Sequence, residues 1–263
     1  NPFYLQISHY APHVDIQTKQ TTLDKYLNKA KGVKHNNPGW AGMLEDMDRT
    51  VGEIMEKVEQ LGIAENTYII FMADNGGVEF LPPVSSKQKM LHPETFDKPM
   101  RNFPLRGGKW TLYEGGIRVP FMVKGPGIAP GKMSHESVGG WDILPTIGEL
   151  AGYSQPLPEN LDGGSFAGIV QSGGKGKVSR NKDYLVFHRY SKAYPHSALI
   201  QGDYKVIRFW KTGKLELYNL PLDFGELKDL YEIDPSKANE LDLQMKAYIK
   251  EVNPALLEDL LAY

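Results

Sequence analysis

Between residues 40 and 72 the chain changes its apolar period, and that change confines it to an architecture of alternating helix and strand. Met43, Leu44, Met47, Val51, Ile54, Met55, Val58 and Leu61 recur at three- and four-residue steps, one stripe of an amphipathic helix over residues 40–61, with Gly62 as its stop. Tyr68-Ile69-Ile70-Phe71-Met72 follows as a short unbroken apolar run, the pattern of a strand buried on both faces, and leads straight into Ala73-Asp74-Asn75-Gly76-Gly77. Upstream, residues 3–8 also read as a strand. Strand, long helix and buried strand make a βαβ unit, which predicts a parallel pair joined by a right-handed crossover. The expected fold class is therefore α/β, a mostly parallel sheet flanked by helices. Such sheets bind ligands beyond the carboxyl ends of their strands, here residues 8–13 and 74–77.

The remaining segments fit around this unit. The polar, Pro- and Gly-punctuated stretch 11–40 reads as a long loop with one short helix over 23–31, and residues 78–118 as a second long irregular segment marked by Pro82-Pro83, Pro93, Pro99 and Pro104. Residues 119–124 resume strand character, and residues 141–152 read as a helix with Pro145 in its first turn and Gly152 after its end. Gly173-Gly174 and alternating lysines within 171–178 mark a boundary, so we expect one unit over 1–178 and a smaller one over 179–263. In the smaller unit, strands over 184–188, 198–200, 204–209 and 215–219 and a helix over 235–250 predict an α+β subdomain of antiparallel strands and a helix.

Composition excludes several classes of function. With 30 Lys+Arg interspersed among 32 Asp+Glu, the net charge of −2 gives no basic surface for nucleic acid. No apolar run approaches the roughly 20 residues of a membrane-spanning helix. There is no cysteine, hence no disulfide, thiolate metal site or cysteine nucleophile within this sequence. Asn1-Pro2 leads at once into a strand-like segment without an initiator Met, which predicts a piece of a longer protein.

Three local features could carry chemistry, and each has a plain alternative. Asp74-Asn75 offers two hard oxygen ligands suited to Ca²⁺ or Mg²⁺, or an ordinary Asp-Asn-Gly turn. His13, beyond the first strand, is a general acid or anion contact, or a surface histidine. Lys109, behind Gly107-Gly108, is an ammonium aimed at an anion, or a solvated side chain.

Taken together, these segments resemble the type I sulfatases of the alkaline phosphatase superfamily. The resemblance rests on Ser8-His9-Tyr10-Ala11-Pro12-His13, Met43-Leu44-Glu45-Asp46-Met47-Asp48-Arg49-Thr50-Val51-Gly52, Phe71-Met72-Ala73-Asp74-Asn75-Gly76-Gly77, and Leu105-Arg106-Gly107-Gly108-Lys109 with Tyr113-Glu114-Gly115-Gly116-Ile117-Arg118-Val119-Pro120. Asp142-Ile143-Leu144-Pro145-Thr146, Leu161-Asp162-Gly163, Gly202-Asp203-Tyr204-Lys205 and Glu216-Leu217-Tyr218-Asn219-Leu220 extend it over essentially the whole chain. The resemblance implies an alkaline phosphatase-like fold, Asp74 and Asn75 as one pair of ligands to a divalent cation, calcium with magnesium as the alternative, His13 facing the leaving-group oxygen, and Lys109 bridging sulfate and leaving group. It implies a formylglycine nucleophile, matured from cysteine or serine, whose hydrated form attacks sulfur and then expels sulfate.

The family's paired aspartates, its Cys/Ser-x-Pro-x-Arg motif and a further lysine and histidine are absent from this sequence, which therefore resembles the C-terminal part of a sulfatase. Alone, it is expected to be inactive and to bind metal weakly, its partners being a sulfated small molecule or saccharide and the N-terminal part of its own chain. Gly139-Gly140-Trp141-Asp142 departs further, lacking a histidine the family often has there. His188, Arg189 and His196 are candidate contacts to an anionic sugar, and Trp110 and Trp210 candidate stacking surfaces, or else polar and packed residues of the subdomain. A phosphodiesterase or phosphonate hydrolase of the same superfamily, and a non-catalytic carbohydrate-binding descendant, are the rival readings. A periplasmic, lysosomal or extracellular setting follows from the resemblance.

Overall fold

The structure is a computed structural model that describes residues 2–13, 15–30, 32, 37–78 and 102–263. Most of the Pro-rich stretch expected to be irregular, residues 79–101, lies outside these, as do residues 14, 31 and 33–36 of the first long loop. In chain order the elements are α1 (Gln20–Leu27), α2 (Pro38–Gln60), β1 (Ile69–Met72), the short α3 (Glu114–Ile117), β2 (Phe121–Lys124), α4 (Ile143–Leu150), α5 (Ala167–Gln171), β3 (Tyr184–Arg189), β4 (His196–Gln201), β5 (Tyr204–Phe209), β6 (Leu215–Asn219), α6 (Pro235–Val252) and α7 (Pro254–Leu261).

The long helix α2 starts two residues before its expected position, because Asn37 caps it by accepting from Trp40 N–H at 2.9 Å and Pro38 occupies its first turn. It ends as expected: Gly62 adopts φ 66°, while Gly62 N–H reaches Glu59 C=O and Ile63 N–H reaches Val58 C=O. These two bonds satisfy the last carbonyls of the helix in a Schellman arrangement. Asp46 on α2 then holds the preceding loop, accepting from Thr18 Oγ1 (2.7 Å), Lys19 N–H (2.9 Å) and Thr22 Oγ1 (2.8 Å). Gly42 permits this approach, since a Cβ there would collide with the Thr18 side chain.

The expected parallel βαβ pair is corrected by the strand pairing. Residues 2–10 form no strand, and Phe3, Tyr4, Leu5 and Ile7 are exposed. A strand exists only through a ladder with a neighbour, and among the described residues no strand pairs with this segment. Instead β1 pairs with β2 antiparallel, Ile69 opposite Lys124 and Met72 opposite Phe121. In this two-stranded sheet β1 is half-buried with Met72 exposed, not buried on both faces.

The C-terminal part is a four-stranded antiparallel meander in the order β3-β4-β5-β6, as the sequence predicts. Both of its faces are covered. Leu199, Val206, Leu215 and Leu217 pack on Leu241, Met245 and Ile249 of α6 and on Leu257 and Leu260 of α7, the last a helix the sequence reading did not anticipate. Leu185, Ala198, Ile200, Ile207 and Phe209 on the opposite face pack on Leu112, Tyr113 and Ile117, next to the Gly-Gly segments of the first unit.

This second interface is pinned by charge. Lys205 on β5 is fully buried, its Nζ 2.9 Å from Glu114 Oε1 and 2.7 Å from Glu226 Oε1. Glu226 Oε2 accepts from Glu114 N–H at 2.6 Å, and Arg118 Nε donates to Glu114 Oε2. Burial pushes the Glu114 carboxyl up, but the Lys205 and Arg118 charges outweigh it and hold the group below its ordinary value; at Glu226 burial prevails and the carboxyl is raised.

Removing the lysine from this cluster would strand two carboxylates in the interior, so Lys205→Ala is expected to destabilise the fold by about 3–5 kcal/mol. Chemical denaturation measures this. A loss below about 1 kcal/mol would show that the cluster is not what fastens the two parts.

Candidate functional site

Three backbone segments meet at one corner, and their glycines are what lets them. Gly76 N–H donates to Gly116 C=O at 2.9 Å and Gly115 N–H to Arg106 C=O at 2.7 Å. A Cβ on Gly76 would overlap the Gly115 carbonyl, one on Gly115 the carbonyls of Arg106 and Gly107, and one on Gly116 those of Thr111 and Gly108. The turn 74–77, the loop 105–109 and α3 therefore stack main chain on main chain, a distance only glycine allows.

Asn102 ties this corner together, and nothing in the sequence reading singled it out. Its Oδ1 accepts from Gly77 N–H (3.1 Å), while its Nδ2 donates to Gly77 C=O and to Gly107 C=O, both at 2.9 Å. Lys109 N–H also donates to Gly77 C=O, at 2.9 Å. The turn that carries Asp74 and Asn75 is thus bolted to the loop that carries Lys109.

The consequence is a pairing across 96 positions of sequence: Lys109 Nζ lies 3.2 Å from His13 Nε2. An ammonium only donates, so Nε2 is the acceptor in this contact. His13 reaches the spot on a turn closed by its own N–H to Tyr10 C=O (3.0 Å), with Ala11, like Trp40 and Val78, packed against Ile16 and Met43.

Asp74 and Asn75 stand at the carboxyl end of β1. Asp74 Oδ1 accepts from Asn75 N–H at 2.9 Å, and Asn75 Nδ2 donates to Gly76 C=O at 3.0 Å, which turns its amide oxygen the other way. One carboxylate and one amide oxygen are donors of the kind a hard divalent cation takes, and they fit part of such a shell. Among the described residues no cluster of three or more His, Cys, Asp or Glu could hold a metal ion.

Arg106 is the second anchor of the loop. Its Nη1 donates to Tyr218 Oη (2.8 Å) and Glu226 C=O (3.2 Å), and its guanidinium lies over the Tyr113 ring, 4.0 Å from the centroid. Glu216 accepts from both Tyr113 Oη (2.8 Å) and Tyr218 Oη (2.7 Å). Burial, reinforced by that carboxylate, pushes both phenols far up, so they remain donors.

The subdomain candidates separate. Strand alternation puts Arg189 and His196, paired across β3 and β4, on the face toward residues 105–118, and His188, paired with Ser197, on the face toward α6. His196 is buried, with Nε2 accepting from Leu112 N–H (3.1 Å) and Nδ1 facing Tyr194 C=O (2.9 Å), so both ring nitrogens are committed to the fold. His188 Nδ1 is 2.8 Å from Ser197 Oγ. Trp210 is buried, with Nε1 donating to Ser197 Oγ at 2.8 Å; Trp110 is exposed beside Lys109. Asp142, at the departing Gly-Gly-Trp-Asp segment, is saturated by Gly139 N–H, Gly164 N–H and a two-pronged Arg180.

Two outcomes check this geometry. Asn102→Ala removes three hydrogen bonds and is expected to cost about 1–3 kcal/mol in denaturant unfolding; an unchanged midpoint would rule out the clamp. Burial holds both His188 and His196 below their ordinary value. The unfolded chain therefore binds protons that the folded chain refuses, and stability, full above about pH 6.5, should decline as pH falls toward 5. Denaturation midpoints across that range should fall, less steeply in His188→Gln.

Residues 1–153 match the Sulfatase family and residues 108–254 match a second family, N-sulphoglucosamine sulphohydrolase, C-terminal. A sulfatase of Formosa agariphila is 32% identical over 94% of this chain and 45% of its own length. The steryl-sulfatase of Rattus norvegicus is 33% identical over 67% of this chain and 30% of its own. Among solved structures, Ps i-CgsB in complex with k-i-k-neocarrahexaose superposes with a TM-score of 0.70 at 26% identity, covering 90% of this chain and 48% of that one. The chain thus spans less than half the length of these relatives. With the corner of glycines, the clamp on Gly77 and the Lys109–His13 pair all lying inside the matched region, this chain belongs to the sulfatase family.

Proposed function

We propose that the protein of which this chain is a part hydrolyses sulfate esters of carbohydrates. In this reading residues 1–178 contribute to the catalytic α/β unit and residues 179–263 form a separate antiparallel subdomain that braces it. The observation that carries the reading is the Lys109–His13 pair held at the turn bearing Asp74 and Asn75. A fixed positive charge, a titratable nitrogen and hard oxygen donors at one corner are what displacement at a sulfuryl centre requires.

Lys109 places its ammonium against the sulfuryl and bridging oxygens, where negative charge grows as the S–O bond breaks. His13, beside it, is the group placed to pass a proton to the departing alkoxide. Asp74 and Asn75 would contribute oxygens to a divalent cation, calcium in our reading with magnesium as the alternative, which lowers the cost of charge on the sulfuryl oxygens. The nucleophile, a hydrated formylglycine in this family, would come from outside the present sequence, which has no cysteine.

Support for a saccharide comes from extent of match. The neighbour in complex with k-i-k-neocarrahexaose superposes over 90% of this chain, and so through much of the subdomain. No helix among the described residues is long and apolar enough to cross a membrane. A periplasmic, lysosomal or extracellular setting belongs to the same reading.

In the complete protein, Lys109→Ala and His13→Ala are each expected to lower sulfate-ester turnover at least about tenfold with the fold intact, as loss of a transition-state contact should. Steady-state sulfate release measures this. Wild-type rates in either variant would remove that residue from the reaction.

A further inference from the structure

Thr111 N–H donates to Gly108 C=O at 2.9 Å and closes a tight turn whose two central residues are Lys109 and Trp110. A positive φ at the second central position of a β-turn ordinarily calls for glycine or asparagine. Trp110 sits there at φ 77°. A bulky side chain in that region is a strained outlier, and it persists only where the surroundings over-determine it.

Here they do. Thr111 Oγ1 accepts from Gly108 N–H (3.2 Å) and donates to Gly108 C=O (2.8 Å), and the next residue is pinned by Leu112 N–H donating to the buried His196. Glycine at position 110 would relieve the strain, yet the position holds the largest side chain. Trp110 is 49% exposed and stands beside Lys109, whose Nζ lies 5.8 Å from the ring centroid and 3.2 Å from His13 Nε2. The strained turn therefore does two things at once: it aims the ammonium at His13 and holds an aromatic face next to it.

We propose that Trp110 is a binding platform for the sugar ring that bears the sulfate ester, setting specificity for a saccharide over an acyclic alcohol. This rests on the carbohydrate sulfatase reading above. A rigid aromatic face offers a large apolar contact to the C–H face of a pyranose at little entropic cost, while the neighbouring lysine receives the anionic substituent. Because the platform touches the ring and not the reacting bond, its loss weakens ground state and transition state alike.

The test uses the complete protein as wild type, Trp110→Gly and Trp110→Phe, with sulfate release from k-i-k-neocarrahexaose and from a short alkyl sulfate. Trp110→Gly takes the positive φ without strain, so its thermal midpoint should not fall. Its KM for the saccharide should rise tenfold or more with kcat within about twofold of wild type. Trp110→Phe should keep most of the affinity, and the alkyl sulfate should be turned over equally by all three. An unchanged KM in Trp110→Gly, or a thermal midpoint lowered by several degrees with affinity intact, overturns the proposal and makes Trp110 a packing residue. If the wild type releases sulfate from neither ester, the sulfatase reading fails. Equilibrium binding of the same saccharide to wild type and Trp110→Gly then decides the platform: tenfold weaker binding supports it, and equal binding, or none to the wild type, overturns it.

Discussion

A buried lysine decides how the two parts of this chain meet. Lys205 rises from the inner strand β5 into an interface from which water is excluded, between a carboxylate of α3 and a carboxylate of the loop after β6. An ammonium there is tolerated only with both partners in place, and each carboxylate only with the lysine, so the arrangement is all-or-none. Apolar groups of the same volume could hold the sheet against α3 as firmly. The ion cluster adds directed contacts to that packing, with Glu226 also accepting the Glu114 N–H.

The cluster reaches the site through a short chain of contacts. Glu114 opens α3; Gly115 and Gly116 of α3 lie against the loop 105–109 and the turn 74–77 at main-chain distance. Arg106 secures the same loop to Tyr218 and, through it, to Glu216 on β6. Lys109 and Asp74-Asn75 therefore ride on backbone held from two sides. The subdomain contributes to the site chiefly by bracing it, and this is where His196, Lys205, Glu216 and Glu226 are spent. Their polar atoms are turned into the protein, not toward a ligand.

Much of the fold was legible because it follows from local rules. The helix stripe of α2, its glycine stop, the β5–β6 hairpin around Lys-Thr-Gly and the capping glycine after α4 are written in spacings of a few residues. The errors were non-local. Residues 3–8 have strand composition, but composition cannot supply a partner ladder, and β1 pairs instead with β2, some 50 residues on. Strand alternation, visible in the sequence, separates His188 from Arg189, whereas His196 joins Arg189 only through the β3–β4 register. The same alternation places Lys205 on one face with Ile207 and Phe209, the pattern of a buried, paired lysine. Asn102 left no comparable mark: an asparagine near prolines is ordinary, and its role exists only once Gly77 and Gly107 are beside it.

The sequence by itself determined the family, the order and kind of most elements, and the residue types available for chemistry, because motif glycines, periodicity and capping act within a turn or two of the chain. Only the tertiary structure decided which of those residues act together. It set Lys109 Nζ at 3.2 Å from His13 Nε2, turned His196 inward, and left Trp110 exposed on a strained turn. Such pairings depend on main-chain approaches between segments far apart in sequence, and their free energy lies in contacts that exist only after the chain has closed.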